Sequence, residues 1–294
     1  MIHISEVGPR DGLQNEKKIL PIETKVKLIN QLVNAGIKKV ECVSFVNPKI
    51  VKQMADAEDV LKQIERDPSV SYGGLVLSQS GVERALKTEV DFLNVAMASS
   101  DTFNLKNSKR TVEDSLKELS KVIHDGVTSG IKMIGVVGTS FGCPYEGRVS
   151  QNKVLKIAEK FLEVGCKEIT FADTTGMANP NQVSELVDEF YTTFGKEITL
   201  ALHFHNTRGL GLANTLAGYQ AGVRHFDSSV GGLGGCPFAP KAVGNVCTED
   251  MVNMFHQMGI ETGTNLDKLI EIAQWLEVEI GHELDGMLMK AGSS

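Results

Sequence analysis

The feature that most constrains this chain is a rhythm in which short β-rich runs alternate with longer amphipathic ones, eight times over. Strand candidates fall at 2–7, 38–44, 70–77, 91–97, 132–138, 167–173, 197–205 and 223–230. A helix candidate follows each, at about 22–35, 50–66, 79–88, 111–129, 150–164, 179–193, 208–221 and 241–258. Several helices run out at a glycine just before the next strand, in Ala35-Gly36-Ile37, Ser129-Gly130-Ile131, Val164-Gly165-Cys166 and Ala221-Gly222-Val223. That is the residue expected where a helix closes in a left-handed turn. Eight such units in about 260 residues predict a (β/α)8 TIM barrel, with an open doubly wound sheet as the competitor. One domain over 1–294 is expected, with the barrel at about 2–258 and a helical extension over about 259–294. The last helical segment, roughly 265–279, lies outside the eight units and reads as a packing or oligomer element.

Composition removes several function classes. A formal charge of −7 argues against general nucleic-acid binding, which favours basic patches. No apolar run approaches the roughly 20 residues of a membrane span. The opening Met1-Ile2-His3-Ile4-Ser5-Glu6-Val7 already reads as a strand and has no leader character, so a cytoplasmic location is expected. Five cysteines scattered over 294 residues do not suggest a disulfide framework.

In a TIM barrel, reactive residues gather on the loops at the C-terminal ends of the strands. The polar residues of this chain do fall there. Strand 1 is followed by Gly8-Pro9-Arg10-Asp11-Gly12-Leu13-Gln14, strand 6 ends in Asp173-Thr174-Thr175-Gly176, and strand 7 ends in His203-Phe204-His205-Asn206. Strand 8 leads into Gly231-Gly232-Leu233-Gly234-Gly235-Cys236-Pro237, with Asn245 and Glu249 beyond it. Side chains two apart on a strand share a face, so His203 and His205 can bind one ion. By itself the pair reads equally well as one core and one surface histidine. Asp11, opposite the pair on the same barrel face, completes a carboxylate and two imidazoles, and Asn245 offers a neutral oxygen. Such a mixed N/O set suits Mg²⁺ or Mn²⁺ better than Zn²⁺.

Arg10 can hold an enolate or carboxylate oxygen, or form an ion pair with Glu41, and both readings are compatible. Glu41 within a buried strand is costly unless paired. Asp173 either orients a ligand histidine or caps the following helix. The glycines of 231–235 allow unusual backbone angles and close approach to a ligand. Cys236 is a candidate proton donor or acceptor, while Cys42, Cys166 and Cys247 read as inert buried thiols and Cys143 is open. Lys17, Lys18, Lys106, Lys109, Arg110 and Arg148 sit on the same loops and can attract a large anionic substrate, or be scattered solvated charges.

Together these stretches resemble the 3-hydroxy-3-methylglutaryl-CoA lyases, within the metal-dependent barrel superfamily that also holds isopropylmalate and homocitrate synthases. The superfamily likeness rests on Gly8-Pro9-Arg10-Asp11-Gly12-Leu13-Gln14 and His203-Phe204-His205-Asn206. The lyase likeness rests on Ser229 to Pro240, with Gly231 where alanine is more usual. Glu41 to Val46, Gly142 to Gly147 and Ala172 to Gly176 are similar too, so the resemblance spans essentially the whole chain. It implies metal ligands Asp11, His203, His205 and Asn245, and catalytic roles for Arg10, Glu41, Asp173, His203 and Cys236. It places Gln14, Lys17, Ser44 and Asn107 near an acyl-CoA, and implies a homodimer with no nucleic-acid or membrane partner. The implied reaction is a retro-Claisen cleavage of HMG-CoA to acetyl-CoA and acetoacetate. A Claisen synthase would share Arg-Asp-Gly and His-x-His but not the cysteine loop. A non-catalytic barrel sensing metal or acyl-CoA is the alternative of another class.

Overall fold

A computed structural model describes residues 1–235 and 243–293. Eight parallel strands close into a TIM barrel in sequence order: β1 (His3–Glu6), β2 (Lys39–Ser44), β3 (Ser71–Val76), β4 (Phe92–Ala98), β5 (Lys132–Gly138), β6 (Glu168–Asp173), β7 (Thr199–Phe204) and β8 (His225–Ser228). The last strand pairs with the first through Ser5 against Asp227 and Glu6 against Ser228. The helices between strands are α1 (Ile22–Asn34), α2 (Ala57–Gln63), α3 (Gln79–Ala85), α4 (Asp101–Ser108), α5 (Val112–Thr128), α6 (Gln151–Glu163), α7 (Pro180–Phe194) and α8 (Gly211–Gln220). After β8 come α9 (Thr248–Gln257), α10 (Leu266–Ile280) and α11 (Leu288–Ala291).

The expected barrel is therefore the observed one, with three local departures. The helix expected over 50–66 is divided into a turn at Lys52–Met54 and the shorter α2. The short α4, capped by Ser100 Oγ on Phe103 N at 3.2 Å, was not anticipated. The helix expected from 241 begins only at Thr248, because Asn245 and Cys247 form bridges to His205 and Ser229 instead. All four helix-closing glycines adopt positive φ, between 84° at Gly130 and 116° at Gly165.

Strand parity divides the polar from the apolar side chains. On β7, Leu200, Leu202 and Phe204 are buried among the hydrophobic residues of the core, whereas Ala201 and His203 stand in register with Thr170 and Ala172 of β6. At the N-terminal end of the barrel, buried Glu168 pairs with Lys39 and, at 2.7 Å, with Lys132. Beside it the rings of His3 and His225 stack at 4.6 Å. The extension after α9 is tied back across this end by Ile2 N to Glu261 O at 3.1 Å and Asn265 N to Ala35 O at 2.7 Å. Among the described residues no helix is long and apolar enough to cross a membrane.

Gly36 sits at that junction with φ of 101°, and a Cβ there would meet Gly263 O at 2.4 Å. Gly36→Ala should therefore cost about 1–3 kcal/mol of stability through strain and overlap. A urea unfolding curve that matches the wild type would remove this junction from the fold's essential contacts.

Candidate active site

The mouth of the barrel begins with a tight turn. Asp11 N and Gly12 N both donate to Val7 O, at 2.7 and 3.2 Å, which winds Gly8–Gly12 into a single wide helical turn. This winding turns Arg10 and Asp11 back over the strand ends. Arg10 Nε donates to Glu41 Oε2 at 2.6 Å and Nη2 lies 2.5 Å from the same oxygen. Its Nη1 donates to Asp11 Oδ1 at 2.8 Å. Glu41 is fully buried on β2, and its other oxygen accepts from Asn94 Nδ2 on β4 at 2.7 Å. The ion pair and the oriented arginine anticipated from the sequence are thus one arrangement. Burial alone would lower the Arg10 pKa, but Glu41 and Asp11 outweigh it and raise it.

Asp11, His203 and His205 converge, each offering one ligand atom within 4.8 Å of the others. The two imidazoles face each other, Nε2 to Nε2, at 3.3 Å. Burial pushes the Asp11 carboxyl up, yet Arg10 and the two imidazoles overcome this and hold it at about 2. Burial, with His203 adding to it, lowers His205 to about 4. A carboxylate and a neutral imidazole are the states a cation needs. Asn245 Nδ2 donates to Asp11 Oδ2 and Leu233 O, both at 2.9 Å, while its Oδ1 is buried without a partner among the described residues. An orphaned amide oxygen beside two imidazoles and a carboxylate fits a hard divalent cation.

The glycine-rich segment closes on this set. Gly234 has φ of 112°, and a Cβ there would lie 2.3 Å from Asn245 Nδ2 and 3.2 Å from Asp11 Oδ2. Asn15 Nδ2 reaches Gly235 O at 2.8 Å. Cys236, the residue singled out on this loop, lies outside the described residues.

Asp173 is buried and accepts from Met177 N and Ala178 N at 2.8 and 3.0 Å, which ties down the loop after β6, while the cap of α7 is Asn179. The carboxylate that holds His203 is Asp227 on β8, with Oδ2 3.3 Å from Nδ1. Burial lowers His203, but the hydrogen bond and charge of Asp227 outweigh this and raise it. Ser44 is buried at the end of β2, and among the described residues its Oγ has no partner, nor has the buried Oε1 of Gln14. Lys17 and Asn107 are exposed, the latter on α4. Cys42, Cys166 and Cys247 are buried, and burial pushes all three thiols up, Cys166 to about 12. Cys143 is also buried and accepts from Ser100 Oγ at 3.0 Å.

Comparison with known proteins finds the HMGL-like family model matching residues 1–276. The (R)-citramalyl-CoA lyase of Chloroflexus aurantiacus is 41% identical over 99% of this chain and 95% of its own length. The hydroxymethylglutaryl-CoA lyase of Bacillus subtilis is 42% identical over 96% of this chain and 94% of its own. A solved HMG-CoA lyase from Acinetobacter baumannii, in complex with coenzyme A and 3-methylmalate, superposes with a TM-score of 0.95 at 43% identity. It covers 100% of this chain and 96% of that one.

Two measurements test the geometry. Asp227→Asn should weaken Mn²⁺ binding by about 10- to 100-fold in calorimetry, since the partner of a ligand imidazole fixes its tautomer; unchanged affinity would dismiss Asp227 from that role. In the metal-free protein the His205 imidazole should stay neutral down to about pH 4. Its folded-state pKa lies below the unfolded one, so its share of stability is full above about pH 6.5 and lost as pH falls through about 4. Nitrogen-detected NMR of the ring reads this directly, and protonation near pH 6.5 would contradict it.

Proposed function

The chain belongs to the HMGL-like family, and from that premise we propose that it is a divalent-metal-dependent lyase that cleaves HMG-CoA to acetyl-CoA and acetoacetate. The observation that carries this reading is the convergence of Asp11, His203 and His205 next to a half-buried, oriented Arg10 at the barrel mouth. The full-length likeness to HMG-CoA lyases supports it.

A cation bound by Asp11, His203, His205 and Asn245 would supply Lewis-acid polarisation that makes a tertiary hydroxyl more acidic. The reaction then needs a base for the C3 hydroxyl proton, charge stabilisation on the thioester as the C2–C3 bond breaks, and an acid for C2. Among the described residues, three of the five Arg10 N–H directions are engaged by Glu41 and Asp11. The remaining two are available to a developing enolate oxygen, and Glu41 keeps the guanidinium from turning away. His203 engages Asp227 through Nδ1 and is a ligand through Nε2, which leaves it no free nitrogen for acid catalysis. We assign the proton to Cys236, which takes it from the hydroxyl as a base and returns it to C2 as an acid. The electrons of the broken bond reside on the enolate until that proton arrives, so no net proton is consumed. Gln14 and Ser44, whose polar atoms Oε1 and Oγ have no partner among the described residues, and Lys17 and Asn107, exposed, are assigned to the acyl-CoA.

A second reading has a specific observation behind it, the likeness to a citramalyl-CoA lyase. Citramalyl-CoA carries the same tertiary hydroxyl but an acid arm one methylene shorter, and the same bond cleavage gives pyruvate in place of acetoacetate. Purified protein with Mg²⁺ and each thioester decides between them. Acetoacetate from HMG-CoA supports the first reading, pyruvate as the dominant product the second, and neither product defeats both.

Two variants test the roles. Cys236→Ala should keep Mn²⁺ affinity while kcat falls by about 10²–10⁴-fold, the usual contribution of a positioned proton donor. Arg10→Met should leave acyl-CoA binding intact and lower kcat by about 10²–10³-fold. Near-normal turnover in either removes that residue from the chemistry.

A further inference from the structure

Glu6, the last residue of β1, is fully buried, and nothing in the sequence marks it as functional. Its Oε1 accepts from Gly8 N at 2.7 Å and from Val230 N at 3.1 Å. Its Oε2 accepts from Thr248 Oγ1 at 2.6 Å, and that hydroxyl lies 2.8 Å from Ser228 Oγ. The three donors belong to three different segments. Gly8 opens the turn that carries Arg10 and Asp11, Val230 stands just before the glycine-rich loop, and Thr248 begins α9 shortly after Asn245.

The packing at this point is close. A Cβ at Gly8 would lie 2.6 Å from Glu6 Oε1, so the turn rests directly on the carboxylate. Glu249 repeats the device one residue further on, accepting from Gly231 N at 3.1 Å. Burial raises the Glu6 carboxyl to about 7, against the Thr248, Gly8 and Val230 hydrogen bonds that pull it down. A group so costly to bury, with both oxygens in use, is retained for its contacts. None of those contacts is to Asp11, His203, His205 or Asn245.

We infer that Glu6 is a positioning residue, whose carboxyl group fastens the Arg10–Asp11 turn to both flanks of the glycine-rich loop and thereby sets Asp11 against Asn245. Its kinetic consequence rests on the lyase reading above; its effect on the ligand set does not.

The test compares Glu6→Ala, Glu6→Asp and Glu6→Gln in the full-length protein, by calorimetric Mn²⁺ affinity and by kcat and KM on HMG-CoA. Glutamine keeps one oxygen for Gly8 and Val230, and its amide can donate to Thr248 Oγ1 while that hydroxyl turns to Ser228. It should hold Mn²⁺ within about fivefold of the wild type. Glu6→Ala should lose at least about tenfold in Mn²⁺ affinity, the scale seen when a support of metal ligands is removed, with the loss in turnover in kcat more than in KM. A folded Glu6→Ala that binds Mn²⁺ within about fivefold of the wild type overturns the inference, as does a folded Glu6→Gln that loses Mn²⁺ as alanine does. Should Glu6→Ala not fold, Glu6→Asp, one methylene short of its partners, is judged by the same thresholds. A merely structural role would lower the melting temperature and leave the Mn²⁺ affinity of the folded protein unmoved. If the wild type fails to cleave HMG-CoA, the lyase reading falls while the Mn²⁺ affinities still decide the role of Glu6.

Discussion

Everything at the mouth of the barrel depends on one hydrogen-bonded sequence of polar side chains anchored on buried Glu41, Asn94 to Glu41 to Arg10 to Asp11. A carboxylate as buried as Glu41 is tolerated only because a guanidinium and an amide saturate it. Removing one partner from such a pair typically costs about 3–5 kcal/mol. The same pairing aligns Arg10, and Arg10 in turn keeps Asp11 ionised in a place where burial favours the neutral acid. Fold stability and the charge state of the site are set by the same hydrogen bonds.

The barrel supplies the geometry that this charge sequence needs. Parity on β7 sends Leu200, Leu202 and Phe204 into the helical layer and leaves His203 on the face shared with Asp227 in the adjoining strand. His203 is thereby held at Nδ1 by its neighbour, which commits Nε2 to the space it shares with His205 and Asp11. The glycines after β8 let the backbone pass against this set, most tightly at Gly234, where any side chain would strike Asn245.

The barrel was legible in the sequence because its signals are local: hydrophobic period, helix-closing glycines, and polar residues after strands. Asp11, His203 and His205 were legible for the same reason, since strand parity and loop position are one-dimensional facts. Asp227 was missed, although it shares a face with His225 two residues earlier, because its partner is chosen by the register between β7 and β8. Asp173 was ambiguous from sequence: it accepts from Met177 N and Ala178 N in the loop after β6, whereas the cap of α7 is Asn179. Glu6 carried no signal at all, as its three partners are scattered from Gly8 to Thr248 and meet only where the barrel closes. The late start of α9 has the same origin, a bridge between Asn245 and His205 that local helix propensity does not register.

That closure is why an open sheet could not have served. Asp11 follows the first strand, while His203, His205 and Asn245 belong to the last two units of the barrel. In a doubly wound sheet, β1 and β8 need not be neighbours, and the carboxylate would stand apart from the imidazoles. Here β1 pairs with β8 over four registered positions and β8 with β7 over three, so the two ends of the chain meet at a single seam. Glu6 lies on that seam and bonds to chain on both sides of it. Asp11, His203, His205 and Asn245 are therefore brought together only where the barrel closes, at the seam between β1 and β8.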